Sequence, residues 1–585
     1  MAVNPELSPL RHSHQSDSAD ALVQEQLRHF GIDPASPFGR HLAGAALNLY
    51  RTNQDIHALW QLTRDCLDSL PPEERICRFN AKKFLAFQLA KVLDNLQAPF
   101  RAQWRHLGLT QDSRLAKGAY PLFDRVPMLF SANPPIVRTA TYVYACTEWI
   151  DDAFHGREST HSIYSRLLNP TALALANTLV ELEAGPDSTD YLALTFNSGM
   201  AAIDALLGTL LERGDILLVS RNLYGGVHQL LQDYYARPEK LGIRLEWFDG
   251  TEARDFRLAL NRTLADHRET LAAGARLRVY LESPCNPHGL MLDVPGICRL
   301  AHETGALVML DATLATPVLF RPLQRPEPAE RPDVVVHSCT KDMAGTGSTT
   351  AGALIGLQPL MFLPKGEPGW RQTLFWQCYY IKGAFLDADK AYEVLTGIKT
   401  LELRILAKGI NTLVLARFLA SHPDLRVSSH ALDHHPNSPL RQRLLRYGLP
   451  CPLLTFDLEA TGLPRDAFVR FFDALEPAFG HMVSLGQTNT LVLCPALTSH
   501  SELDETALAA AGIYPTSIRV AVGIEPVREL IAHLVLAARR HLDPVSPGFS
   551  QGFMAPAEVD ALVEQVTLDI HRARLAQQAR LAELL

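Results

Sequence analysis

Five short β-rich runs alternate with helical stretches in the middle of the chain: YLALTF (191–196), DILLVS (215–220), RLRVYLES (276–283), ALVMLD (306–311) and PDVVVHS (332–338). No other feature constrains the fold as strongly. Strands separated by helices pair in parallel through crossovers, so the pattern predicts a parallel sheet with helices packed on both faces. In open sheets of this kind ligands bind beyond the carboxyl ends of the strands, where loops and helix N-termini converge. Reactive residues fall at four such ends. RLRVYLES runs into Pro284, Cys285 and Asn286; ALVML ends at Asp311; DVVVHS leads to Thr340 and Lys341; DILLVS is followed by Tyr224, Gly225 and Gly226.

An amide, a carboxylate, an amine and an aromatic ring form the set that pyridoxal 5′-phosphate asks for. A lysine amine forms a Schiff base with the aldehyde, a carboxylate keeps the pyridine nitrogen protonated, and an aromatic ring stacks on the cofactor face. Donors for the phosphate are also at hand. Asn197, Ser198, Gly199 and Met200 lie between a strand and the helical run AAIDALLGTLLERG, so backbone N–H groups and the positive helix end are available to a dianion. Ser338 and Thr340, flanking Lys341, add hydroxyls. Taken singly, each residue has a plainer reading as a surface charge, a cap or loop packing. Their joint order along the chain points to one site.

Elsewhere the chain is organised differently. Residues 1 to about 130 read as helical, with Leu85, Leu89, Val92, Leu93 and Leu96 on one stripe. From 397 to 545 the pattern is mixed, with a strand expected at CPLLTFDLEA (451–460). SPGFSQGFMAPAE (546–558) reads as a linker, and Val559, Leu562, Val563, Val566 and Ile570 mark a last amphipathic helix. GTGSTTAG (345–352) lacks the GK[ST] of a P-loop and the GxGxxG of a dinucleotide site, and reads as a flexible loop. His430, Asp433, His434 and His435, followed by Pro436 and Asn437, read as a solvated loop, and no metal site is expected.

Composition narrows the partners. With 55 basic and 63 acidic residues the net charge is −8, which gives no electrostatic reason to expect nucleic acid or an anionic membrane. The nine cysteines are scattered without a C-x-x-C pair, and no run of eighteen apolar residues occurs. The N-terminus lacks the apolar stretch of a signal peptide. A small-molecule partner and a cytoplasmic location are expected.

The chain resembles the Cys/Met-metabolism (transsulfuration) family of pyridoxal-phosphate enzymes, which includes cystathionine γ-synthase, cystathionine lyases, methionine γ-lyase and O-acylhomoserine sulfhydrylases. The resemblance is carried, in family order, by YSRLLNPTALALANTLVELEAG (164–185), FNSGMAAIDALL (196–207), NLYGGVHQLL (222–231), ESPCNPHG (282–289), LDATLATPVLFRPL (310–323), HSCTKDMAGTG (337–347), GIKTLELR (397–404), SLGQTNTL (484–491) and SIRVAVGIE (517–525). It implies an α/β fold, with an aspartate-aminotransferase-like (fold type I) large domain of mostly parallel sheet at 131–396. A smaller α+β C-terminal domain at 397–545, a helical N-terminal extension at 1–130, and a linker and helix at 546–585 complete the expected organisation.

By the same resemblance Lys341 is the Schiff-base lysine, Asp311 the pyridinium partner and Tyr224 the stacked ring, with Asn286 near the ring hydroxyl. Ser198, Gly199, Met200, Ser338 and Thr340 match the family's phosphate contacts. Tyr164 and Arg166 match a pair that reaches the phosphate from the neighbouring subunit, which implies a homodimer or homotetramer. Arg519 matches the arginine that clamps the substrate carboxylate, with Ser484 in the substrate-side motif. The activity implied is γ-replacement or γ-elimination on a sulfur-containing or O-acylated homoserine-type amino acid. The alternatives are β-elimination on the same fold, or a non-catalytic, regulatory cofactor-binding protein. A DNA-binding version of the latter would carry a basic recognition helix in the first 130 residues, where no Lys/Arg cluster occurs. The chain departs from the family pattern at Ala312, Asp342 and Asn489.

Overall fold

The computed structural model describes residues 18–66, 70–117, 163–498 and 512–584, together with 128, 130–144, 147, 150, 154 and 508. By internal contacts the chain divides into two units, one holding residues 1–168 with 364–370, the other holding residues 169–363 and 371–584.

Over residues 19–117 the first unit is helical, with α1 (Ala19–His29), α2 (Pro37–Cys66), α3 (Pro72–Asn95), α4 (Gln97–His106) and α5 (Gln111–Lys117), whereas residues 131–144 are non-helical, with an isolated bridge between Thr141 and Tyr164. Ser18 caps α1 by accepting from the Ala21 amide at 3.2 Å, while Asp20 in the first turn and Arg28 and His29 in the last complement the helix dipole. Leu22, Val23 and Leu27 of α1 bury against Ala46 and Tyr50 of α2. The expected stripe lies on α3, continuing to Leu96, but Val92, Leu93 and Leu96 are exposed and Leu85 and Leu89 only half-buried.

The second unit begins with α6 (Pro170–Ala184), whose N-cap Asn169 accepts from the Thr171 amide at 2.9 Å ahead of a proline pre-set for the first turn. Its seven-stranded sheet is built from β1 (Tyr191–Phe196), β2 (Ile216–Ser220), β3 (Arg244–Phe248), β4 (Leu277–Glu282), β5 (Leu307–Asp311), β6 (Val334–His337) and β7 (Gly352–Leu357). The order across the sheet is β1-β7-β6-β5-β4-β2-β3. All neighbours are parallel except the two pairs that β7 makes, which are antiparallel. Each of the five expected strands is present; β3 and β7 are additional. α7 (Gly199–Leu210) follows β1 directly.

A second sheet, ordered β10-β11-β12-β9-β8, contains β8 (Arg426–Ser428), β9 (Leu453–Asp457), β10 (Gly480–His481), β11 (Leu491–Leu493) and β12 (Ile518–Ala521). The strand expected within 451–460 is β9. Against this sheet lies α8 (Leu401–Ala420), buried along most of its length, and the expected last helix is α9 (Pro556–Leu584), with Val559, Val566 and Ile570 buried.

Two loop readings need correction. Residues 546–558 are anchored at two points although most of them are exposed: Phe549 and Phe553 are buried, Phe553 stacks on Phe418 with ring centroids 5.0 Å apart, and His422 Nε2 lies 2.8 Å from the Phe549 carbonyl oxygen. Aromatic burial outweighs the glycine, proline and serine content that suggested a linker. The histidine cluster is not uniformly solvated either. His434 and Asp433 are exposed, but His430 is fully buried, accepts from the Cys451 amide, and has its pKa pushed down to about 3 by burial and by Arg441. No group of three or more metal-ligating side chains occurs among the described residues, and none of their helices is long and apolar enough to cross a membrane.

Candidate active site

The carboxyl ends of β4, β5 and β6 open onto a cavity of about 430 Å³. Asn286 follows β4, Asp311 ends β5, and Ser338, Thr340 and Lys341 follow β6; all five line the cavity. Tyr224, after β2, contributes an exposed ring, and Ser198, Gly199 and Met200 bring in the start of α7. Ser484 and Arg519 enter from the loop before β11 and from β12. Tyr164 and Arg166 belong to the other unit, where the Arg166 guanidinium lies over the Tyr164 ring at 5.6 Å.

The phosphate-type cradle has a clear local cause. Ser198 caps α7 by accepting from the Ala201 amide at 3.1 Å, and the first-turn amides of Gly199 and Met200 have no acceptor within the helix. Close packing makes Gly199 necessary: a Cβ there would stand 2.7 Å from Ser338 Cβ. Thr340 is committed differently, its hydroxyl donating to the Ala351 carbonyl at 3.1 Å and accepting from the Ala351 amide at 2.9 Å. It ties the turn that carries Lys341 to the residue before β7.

Charge in the cavity is arranged in two like-signed groups. Asp311 is buried, takes one hydrogen bond from the Thr313 amide at 2.9 Å, and is held above the usual carboxylate range by burial. Beside it on β4 lies Glu282, in register with Asp311 across the strand pair. Its two oxygens accept from the amides of Tyr224 (2.6 Å) and Asn286 (2.9 Å), so one carboxyl group ties together the loops that carry the ring and the amide. Burial and the neighbouring Asp311 push Glu282 upward as well.

The cationic group is equally self-opposed. Lys341 Nζ donates to Ser484 Oγ at 3.2 Å, and burial together with Arg519 lowers its pKa, against the pull of Asp342. Arg519 is 3% exposed; Nη1 donates to Asn286 Oδ1 at 3.0 Å and Nη2 to the Ser484 carbonyl at 2.6 Å. Its Nε has no partner, no carboxylate neutralises it among the described residues, and burial lowers its pKa to about 10.

These residues fit pyridoxal phosphate. Free amides at the α7 terminus suit a phosphate, the unpaired buried Asp311 suits a protonated ring nitrogen, and a poorly basic amine suits an aldehyde. Glu282 was missed by sequence reasoning. An acidic residue closing the otherwise apolar, wholly buried strand LRVYLE was the available signal. Thr313, whose hydroxyl accepts from the Ser338 amide at 2.8 Å, was missed too.

A lysine, a buried carboxyl group and a helix N-terminus meet in one cavity at the strand ends of an α/β sheet. The chain belongs to the Cys/Met metabolism PLP-dependent enzyme family, whose model it matches over residues 125–538. It is 32% identical over 408 residues to L-methionine gamma-lyase of Pseudomonas putida, covering 69% of this chain and 92% of that one. To O-acetyl-L-homoserine sulfhydrylase 1 of Thermus thermophilus it is 32% identical over 435 residues, covering 70% and 96%. The crystal structure of cystathionine gamma synthase from Xanthomonas oryzae pv. oryzae in complex with cystathionine is similar at a TM-score of 0.57 and 27% identity, covering 70% of this chain and 94% of that one. The protein is an enzyme of transsulfuration type, in a family that uses pyridoxal phosphate.

Proposed function

We propose that the chain binds pyridoxal 5′-phosphate through Lys341 and catalyses γ-replacement or γ-elimination on a sulfur-containing or O-acylated homoserine-type amino acid. The observation that carries the amino-acid part is Arg519: a buried guanidinium without a carboxylate partner, lining the same cavity as Lys341, calls for an anionic ligand. Relatives named for γ-lyase, sulfhydrylase and γ-synthase activities favour γ-chemistry over β-elimination.

When bound, the cofactor supplies an electron sink for charge developing at the substrate Cα. Asp311 would hold the ring nitrogen protonated and Tyr224 would cover the ring face. Asn286 holds Arg519 in place, and Arg519 binds and orients the α-carboxylate. As a free amine Lys341 would take up the Cα proton and, having passed it on, a Cβ proton, the second loss being what lets a γ-substituent leave. Ser484 Oγ, 3.2 Å from Lys341 Nζ, steadies the amine between these steps. Ile203, Leu314, Val483 and Leu485 give the cavity apolar surface for a thioether or acyl side chain. Tyr164 and Arg166 are assigned to the phosphate site of a neighbouring subunit in a homodimer or homotetramer.

Product analysis with O-acetylhomoserine, O-succinylhomoserine, cystathionine and methionine, with and without a thiol, tests the reaction. Release of a 2-oxo acid and ammonia from methionine marks γ-elimination, and thioether formation marks γ-replacement. Pyruvate from cystathionine without either product would sink the γ-reading. Mixed oligomers of Lys341→Ala and Arg166→Ala chains test the shared site. Activity recovered on mixing the two inactive variants is expected, and none would be recovered if each subunit worked alone.

A further inference from the structure

The turn that presents Lys341 is gripped by α8. Within the turn, the Lys341 amide donates to the Ser338 carbonyl at 3.1 Å, and the Lys341 carbonyl accepts from the Gly345 amide at 2.9 Å. Asp342, the next residue, does not line the cavity. Its Oδ1 accepts from Lys408 Nζ at 2.6 Å, and the two side chains are 1% and 0% exposed. One helical turn before Lys408, Arg404 donates to the carbonyls of Asp342 and Gly397, each at 2.7 Å. A Cβ on Gly345 would meet Arg404 Nη1 at 2.2 Å, so the turn closes directly on the guanidinium.

A buried ion pair is a poor way to gain stability, because both ions lose their water and an apolar pair of similar volume would serve as well or better. Asp342 also leaves Oδ2 without a hydrogen-bond partner. The pair's value lies in where its charge falls. We propose that Lys408 and Asp342 are positioning residues for the Lys341 amine, the ion pair fixing the turn and keeping a negative charge beside the reactive lysine.

The charged groups around Lys341 are Arg519 on β12, Asp342 in its own turn, Arg404 and Lys408 on α8, and Glu282 and Asp311 at the ends of β4 and β5. Burial and Arg519 make the amine less basic, and Asp342 opposes them. These opposed influences set the basicity of an amine that must both attack an aldehyde and carry a proton. The inference rests on the proposed role of Lys341 only for its catalytic meaning; its geometry and its test stand without the cofactor.

Competitive acetylation of the full-length, cofactor-free chain across pH, read by mass spectrometry, gives the protonation midpoint of Lys341. Asp342→Asn is expected to lower that midpoint by about 0.5–1 unit. Exchanging the pair, Asp342→Lys with Lys408→Asp, keeps a buried ion pair but puts the cation beside the lysine, and is expected to lower it further. Asp342→Leu with Lys408→Met provides apolar packing in place of the ions; a cooperative melt would establish its fold, and its midpoint should also drop, by less than in Asp342→Asn because the Lys408 cation is removed as well. Should the other variants fail to fold, this double variant decides. A midpoint within about 0.2 units of the parent in the folded variants overturns the proposal. Failure of the parent chain to develop visible absorbance with pyridoxal phosphate would instead strike the cofactor reading and leave this one standing.

Discussion

At the ends of β4 and β5 the cavity lining holds two buried carboxyl groups in register, whereas Lys341 and Arg519 bring two cations into the same lining with no carboxylate bonded to either among the described residues. Each group opposes itself. Carboxyl pKa values rise on one side, and amine and guanidinium values fall on the other. The difference between the two is a description of what would satisfy both: a cationic ring nitrogen on the acidic side and an anionic carboxylate on the basic side. On the proposed function the cofactor would answer the first and the substrate the second, and each side can be tested by itself.

Lys341→Ala is expected to have the largest effect, removing the visible band formed with pyridoxal phosphate and lowering turnover by ~10³-fold or more. A band that survives would remove Lys341 from its assigned role. On the acidic side, Asp311→Asn should lower turnover by ~10²-fold while stabilising the cofactor-free fold. The sign follows from the raised folded-state pKa: the native chain loses stability as pH rises from the ordinary carboxyl value of about 4 towards that raised value, and asparagine escapes the loss. Melting temperatures of the two chains should therefore agree near pH 4 and separate by roughly a few °C at pH 8; a gap independent of pH would contradict this.

On the basic side, Arg519→Ala should raise the amino-acid KM by ~10²-fold and change cofactor affinity by less than ~3-fold, and equal losses in both would deny its separate role. Ser484→Ala should have the smallest effect, a ~3-fold slower capture of cofactor by the free chain. In the parent that capture rate should rise with pH and level off below the ordinary lysine value of about 10.4, because the folded-state pKa of Lys341 is lowered.

Residues at the turns after β2, β4, β5 and β6 were readable in advance because four reactive side chains recur in order at the ends of apolar runs, though each alone has a plainer structural reading. Glu282 escaped notice because it sits inside a strand, where burial and register are set by neighbours in space. β7 was hidden by its composition, since GALIGL is broken by glycines that mark a weak strand. The first of those glycines answers to the turn after the neighbouring strand β1: a Cβ on Gly352 would fall 2.2 Å from the Ser198 carbonyl oxygen. The stripe on α3 foretold a helix correctly but not its burial, because periodicity reports a face and not what covers it. Phe549 and Phe553 were overlooked for the opposite reason, as two aromatic anchors inside a stretch whose small residues dominated the reading.

β7 also decides when a site can exist at all. It pairs Tyr191 with Leu357 on one side and Val335 with Ile355 on the other, so the turn after β1 and the lysine after β6 flank a strand made later than either. Closing so long a loop costs entropy that only the finished pairing repays. A growing chain released before residue 352 would hold the two halves of its chemistry without a means of joining them.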